Sequence, residues 1–194
     1  MASKKMAKLA AAAAHKPLFR AFLAVSLDGY IADKTGGVGW LDAYHSPEID
    51  FAGFMKTIGA TIFGRTTYDW DGYLDTSKSQ TIVLTRRPLK NPPPGAEAFA
   101  GDVRDLAARL RRDLALAKTG KDIWLMGGGL SMAPFHAAGL VDRWELGVMP
   151  VLRGEGIPLF PKHPRGLESL RLTRCRSLKN GIIEAWYEPA GATR

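Results

Sequence analysis

Three short apolar runs in this chain share one design. Each is rich in β-branched and aromatic residues, and each stops at glycine, hydroxyls or cations. Residues 60–64 run into Arg65-Thr66-Thr67, and residues 80–85 run into Arg86-Arg87. Residues 121–126 run into three consecutive glycines, Gly127-Gly128-Gly129. Two of the runs open directly into segments with helical character. A strand that ends where a helix begins is the repeating unit of a parallel sheet. Ligands bind to such sheets just beyond the carboxyl ends of the strands.

The rest of the chain fits that frame. Residues 18–31 read as a buried strand ending near Asp28-Gly29, and residues 33–40 as a glycine-rich loop. Ser46-Pro47-Glu48 carries a cap, a proline and an acid in the order that opens a helix, with Ile49, Phe54 and Ile58 inward. Residues 86–95 form a proline-rich loop. Residues 102–118 form an amphipathic helix capped by Asp102, with Val103, Leu106, Leu110 and Leu114 on one face. A short helix is expected over 130–139 and a strand over 141–152. Two alternating segments flank Lys179-Asn180-Gly181, and Asn-Gly is a strong hairpin signal. The expected fold is α/β: a central, mostly parallel sheet flanked by helices, with antiparallel C-terminal strands. Residues 18–190 would form one domain and residues 1–17 a disordered or helical extension.

Charge narrows the partners. The net charge is +8, but the first 16 residues hold four lysines and no acid, so the remainder carries only +4. A nucleic-acid binder needs a concentrated basic patch with interleaved aromatics, which the body lacks. Its mild surplus suits an anionic small molecule. The basic, alanine-rich start is short and weakly hydrophobic for an export signal, and no apolar run nears the roughly 20 residues that span a bilayer. A single cysteine, Cys175, excludes an internal disulfide framework, and a cytoplasmic location is expected. His15, His45, His136 and His163 lack metal-ligand spacing, and no serine sits in a G-x-S-x-G elbow.

The triglycine run allows two explanations. A strand–glycine–helix seam lets backbone N–H groups approach a phosphate, aided by the helix N-terminus. It would equally serve as a tight turn with close packing. The other two strand ends bear on the choice. Arg65 can fork onto a phosphate, and Thr66 and Thr67 can donate from a helix start. Thr85, Arg86 and Arg87 repeat the arrangement. Three such ends suit a ligand with several phosphates spread along the sheet rim.

Five segments, in this order and spacing, resemble the dihydrofolate reductase-like superfamily: 25–32, 64–69, 83–88, 123–129 and 139–160. They are most similar to the branch containing the C-terminal reductase domain of the bifunctional riboflavin-biosynthesis deaminase/reductase and its stand-alone relatives. The resemblance covers about residues 18–188. It implies NADPH as cofactor and a hydride-transfer reaction. Gly64, Arg65, Thr66 and Thr67 resemble the segment touching the cofactor phosphates. Thr85 and Arg86 resemble the 2′-phosphate site, which would favour NADPH over NADH, and Leu84 before them is a further expected cofactor contact. Gly127, Gly128 and Gly129, flanked by Met126, Leu130 and Ser131, resemble the pyrophosphate loop. In dihydrofolate reductases that loop contains a cis Gly-Gly bond. Such a bond between non-proline residues costs about 2.5–4 kcal/mol. Ala24 and Ile31 resemble positions lining the nicotinamide, and the 36–40 loop resembles the mobile one covering it.

The resemblance also marks Asp50 as the candidate catalytic acid, with Phe54 one turn later and Trp40 nearby as substrate contacts. Burial against the two aromatics would raise its pKa. Asp50 in the first turns of a helix could instead simply stabilise the helix N-terminus, and Glu48 is the weaker rival. The sequence departs from its relatives in three ways. No arginine lies between Tyr68 and Leu84 to clamp a folate tail, Lys78 being the cation nearest that place. Met126 stands where the riboflavin-type enzymes carry glutamate. No H-x-E…C-x-x-C deaminase set is present. Two functions follow: an NADPH-dependent reductase of a pterin-like or related heterocycle, or a non-catalytic nucleotide- or pterin-binding protein of the same fold. A small-molecule substrate and a homodimer are the expected partners, without nucleic acid, membrane or metal.

Overall fold

The computed structural model describes residues 15–69, 79–161 and 166–191. Most of the N-terminal extension, and Lys78, lie outside them. The strands are β1 (Phe19–Ser26), β2 (Tyr30–Ala32), β3 (Ile58–Gly64), β4 (Gln80–Leu84), β5 (Ala96–Phe99), β6 (Asp122–Gly127), β7 (Arg143–Met149), β8 (Ile157–Pro158), β9 (Leu170–Ser177) and β10 (Ile183–Pro189), so the single strand expected over 18–31 is split into β1 and β2. The helices are α1 (Phe51–Lys56), α2 (Arg65–Asp69), α3 (Val103–Leu116) and α4 (Gly129–Ala137), and a 3-10 turn spans Gly39–Tyr44.

Eight strands make one sheet in the order β5-β4-β3-β6-β1-β7-β10-β9, and β2 pairs with β8 separately. Every pairing from β5 to β7 is parallel. The pairs β7–β10 and β10–β9 are antiparallel. The sheet is thus mostly parallel with an antiparallel C-terminal edge. The hairpin turns at Gly181, whose φ of +84° suits glycine.

Alternation along β1 divides the core. Phe19, Ala21 and Val25 join the main cluster with Leu106, Ala107 and Leu110 of α3 and Met132 and Phe135 of α4. The other face carries Arg20, Phe22 and Ala24. Phe22 packs with Phe54, Ile58 and Trp124, and Ala24 with Met149, Leu178, Ile182, Trp40 and Ile49. Helix α1 has only six residues, so it cannot cover this second face alone.

Charge occupies part of that face. Arg20, 8% exposed, donates through Nε and Nη2 to the two carboxylate oxygens of Glu145, at 2.5 and 2.8 Å. It also donates to Asp122 (3.2 Å) and to the Thr57 hydroxyl (2.8 Å), and lies over the Phe54 ring. Burial opposes its charge, but the hydrogen bond and charge of Glu145, followed by those of Asp122, outweigh burial and hold its pKa above the usual value.

Two expectations about local structure need correcting. Ser46-Pro47-Glu48 does not open a helix. The Ser46 hydroxyl accepts from the Glu48 N–H within a turn, and α1 begins at Phe51 with Asp50 as its cap. Strand β5 follows the proline-rich loop, in a stretch to which the sequence reading assigned no element. No helix among the described residues is long and apolar enough to cross a membrane.

Candidate functional site: one rim of the sheet

Parallel pairing puts the carboxyl ends of β4, β3, β6, β1 and β7 on one rim, and the three phosphate-compatible segments occupy three adjacent ends. Gly64 pairs with Leu84, and Phe63 pairs with Gly127. Residues 64–67, 84–86 and 126–131 are therefore neighbours in space. At the seam between β3 and α4, a Cβ on Gly64 would stand 2.3 Å from the Ser131 hydroxyl. The 33–37 loop, closed on the Asp33 carboxylate by the N–H groups of Thr35 and Gly37, reaches the same place. A Cβ on Gly36 would lie 3.3 Å from the Thr66 methyl.

The glycine run owes its composition to something other than the expected cis bond, since the described residues contain no cis peptide. Gly127 and Gly128 have φ of +125° and +68°, conformations that side chains disfavour. Gly129 is buried, and a Cβ there would come within 2.4 Å of the Pro158 carbonyl oxygen and 3.3 Å of that of Leu159. The Gly128 carbonyl accepts from the Ser131 and Met132 N–H groups at 2.9 and 3.0 Å, which starts α4. The loop is thus a tight turn that starts α4 at the rim.

The cations differ in their commitments. Arg65 donates through Nε to Asp69 (2.7 Å) and through Nη1 to the Pro88 carbonyl (3.1 Å), tying α2 to the loop after β4. Arg86 is exposed, and the Thr85 hydroxyl accepts from the Arg87 N–H. Leu130 is 77% exposed. Ile31 is buried on β2, and Ala24 is half-buried near the end of β1.

The candidate acid is not where burial would tune it. Asp50 is exposed, and its Oδ1 accepts from the Gly53 N–H at 2.7 Å, so its visible work is capping α1. Phe54 is stacked on Phe22, with ring centroids 4.3 Å apart, and meets Trp124 edge-on. Trp40 packs in the separate Met149–Ile182 cluster under the Arg153 guanidinium. Asp50, Phe54 and Trp40 therefore do not converge as a triad.

Between those two clusters lies a cavity of about 90 Å³ lined by Phe22, Ala24, Ile49, Gly147, Met149 and Trp186, with Glu145 and Glu184 among its polar neighbours. Sequence reasoning missed its two glutamates. The available signal was the position of each acid inside an alternating apolar strand, where a charge must be buried and paired.

Comparison with known proteins gives the family and the fold. The family model of the RibD C-terminal domain matches residues 17–183. The Bacillus subtilis uncharacterized protein YyaP is 30% identical over 181 residues, covering 85% of this chain and 91% of its own. A crystal structure of a Shewanella sp. PV-4 protein ascribed to riboflavin biosynthesis has a TM-score of 0.74 at 25% identity, covering 89% of this chain and 99% of that one. The Enterococcus faecalis dihydrofolate reductase complexed with NADP(H) shares the fold, with a TM-score of 0.60 at 17% identity over 90% of this chain and 98% of its own. The chain belongs to the RibD C-terminal domain family and has a dihydrofolate reductase-like fold.

Proposed function

We propose that this member of the RibD C-terminal domain family is an NADPH-dependent reductase that transfers hydride to a C=N or C=O bond of a pterin-like or related heterocycle. One observation carries the proposal: three phosphate-compatible segments occupy adjacent strand ends, beside a helix start where two glycines cannot accept a side chain. The residues present fit a phosphorylated dinucleotide. Gly64 and Gly129 are glycine because Ser131 and the Pro158 carbonyl fill the place of a Cβ, whereas nothing lies within 4 Å of a Cβ on Gly127, so backbone there can approach a ligand without obstruction. The start of α4, with Leu130 and Ser131, would take the pyrophosphate, supported by Thr66, Thr67 and Arg65. Thr85 and exposed Arg86 would take the 2′-phosphate, where a guanidinium gives two hydrogen bonds and a charge. Ala24 and Ile31 would line the nicotinamide.

When bound, the cofactor supplies the hydride. The protein orients the substrate against it, excludes water with the 36–40 loop, and provides a route for one proton. Asp50 follows the cavity residue Ile49, and either its carboxylate or a water delivers that proton to the reduced ring.

The test is fluorescence titration with NADPH and NADH, followed by a heterocycle panel read at the NADPH absorbance. NADPH should bind at least tenfold more tightly than NADH, and Arg86→Ala should remove most of that preference, as expected for loss of one charge-assisted contact. Equal affinity for the two nucleotides, or an undiminished preference in the variant, refutes the 2′-phosphate assignment. NADPH binding without oxidation on any heterocycle would favour a binding protein over an enzyme.

A further inference from the structure

The 33–40 loop is bound to the chain at both flanks. On one side it meets the segment after β7. Lys34 pairs with Glu155 at 2.6 Å, and β2, which leads into the loop, pairs with β8. A Cβ on Gly156 would collide with the Ala32 carbonyl oxygen. On the other side the loop tip reaches α2, where Gly36 approaches the Thr66 methyl. In the sheet, β6 and β1 lie between β3, which feeds α2, and β7. The loop thus spans the ends of β6 and β1, where the glycine run and Ala24 sit.

Arg153 stands where these contacts meet. Its N–H and that of Gly154 donate to the Asp28 carboxylate at 3.0 and 2.7 Å, which anchors its backbone to the end of β1. Its guanidinium lies over the Trp40 ring, 5.1 Å from the centroid, and Trp40 packs in turn with Met149, Leu178 and Ile182. Asp33 closes the loop by accepting from the Thr35 hydroxyl and from the N–H groups of Thr35 and Gly37. The Thr35 hydroxyl first, then the Gly37 N–H, hold the Asp33 pKa below its usual value against some desolvation, and the Arg153 charge adds to them. Nε of Arg153 and Nε1 of Trp40 are both buried, and neither has a hydrogen-bond partner among the described residues. Charge against the ring face therefore holds the pair, not a hydrogen bond. The Lys34 and Glu155 side chains are 69% and 68% exposed, where an ion pair contributes little. The weight falls on Arg153.

We propose that Arg153 is a positioning residue: its charge over Trp40 keeps the 33–40 loop closed across the rim before any nucleotide arrives, so the loop is a standing wall rather than a lid that nucleotide shuts. A cation on an indole face shifts such an open–closed equilibrium by about two- to thirtyfold, most where the pair is shielded from water. The Asp28 clamp takes only backbone N–H groups from Arg153 and Gly154. It therefore survives replacement of the Arg153 side chain, and the loop can be released without disturbing the segment it leans on. The inference rests on the reductase reading only for what the wall encloses.

Hydrogen exchange read by mass spectrometry on the full chain tests this, because opening withdraws Trp40 from its cluster and exposes the amides of residues 33–44. Arg153→Met keeps an unbranched stem and loses the charge. It should speed exchange there by at least about threefold, with no change over residues 170–189. Arg153→Lys keeps a cation for the ring and should stay within about twofold of wild type, as should Lys34→Ala. Saturating NADPH should leave the wild-type loop within about twofold and slow the Arg153→Met loop back toward it. An Arg153→Met loop that exchanges like wild type, acceleration spread over the whole chain, no rescue by lysine, or equal opening by Lys34→Ala overturns the assignment. A wild-type loop that NADPH slows by more than about threefold is a lid, which overturns the proposal and leaves the reductase reading intact. If NADPH does not bind, the variants still decide the proposal, and the reductase reading alone fails. If Arg153→Met does not fold, the wild-type loop with and without NADPH decides.

Discussion

Replacing Arg20 with methionine is the sharpest test of how the sheet tolerates charge. The substitution keeps an unbranched stem over Phe54 but removes the guanidinium. Glu145, 1% exposed, loses both of its short hydrogen bonds. Its nearest remaining cation is Arg143, whose Nη1 is 3.8 Å away. Asp122 suffers less, because His15 (2.7 Å) and the Leu18 N–H (3.1 Å) still hold its carboxylate. Removing one partner of a buried ion pair costs about 3–5 kcal/mol. Arg143 and the surviving contacts of Asp122 place this case near the lower end, about 3 kcal/mol. For a chain of this size, that lowers Tm by roughly 6–12 °C. The second arm is the double variant Arg20→Met with Glu145→Met, which leaves no uncompensated charge at Glu145. It should recover about 2 kcal/mol relative to the single variant. Urea unfolding at pH 7, followed by circular dichroism and tryptophan fluorescence, measures both; guanidinium salt would screen the pair. A single variant within about 1 kcal/mol of wild type, or a double variant no better than the single, would refute the reasoning.

Two further predictions concern single carboxylates. Asp28 accepts from the Ser26 hydroxyl and from the Gly154 and Arg153 N–H groups, at 2.6, 2.7 and 3.0 Å, clamping the end of β1 to the loop after β7. The Ser26 hydrogen bond first, opposed by some desolvation, and then the two backbone donors lower its pKa from 3.8 to about 2. A depressed folded-state pKa contributes stability above the unfolded value, and that contribution is lost as pH falls through the folded value. The Tm advantage of wild type over Asp28→Asn should therefore shrink between about pH 4 and 2; parallel curves would contradict it. Asp50 separates two roles in one side chain. Asparagine caps as well as aspartate, so Asp50→Asn should leave Tm unchanged, whereas Asp50→Ala should cost about 1 kcal/mol. A fall in kcat in the asparagine variant then reports proton delivery, and an unchanged kcat assigns that step to water.

The rim was legible before the structure because its signals are local. A glycine after an apolar run, or Thr-Arg at a strand end, constrains the backbone within a few residues. Asp102 and Asn180-Gly181 were readable for the same reason. Ser46 misled because a serine before proline serves a turn as well as a helix, and only the carboxylate–Gly53 contact shows where α1 starts. β5 escaped because Ala96–Phe99 is a four-residue edge strand with two alanines and little apolar signal. The cavity escaped for a different reason. Glu145 finds Arg20 across 125 positions of chain, and no spacing rule reaches that far. Burial of Asp50 was expected from resemblance alone, and six residues of α1 are too short a platform to enclose it.

β1 lies among the first segments of the chain, yet its neighbours in the sheet are β6 and β7, and Phe19 meets Asp142 across 123 positions. Pairings this remote slow folding. On the ribosome, β1 would emerge and wait, apolar and unpaired, until more than a hundred further residues had been made. The nascent chain is therefore a natural client for chaperones that shield extended apolar segments.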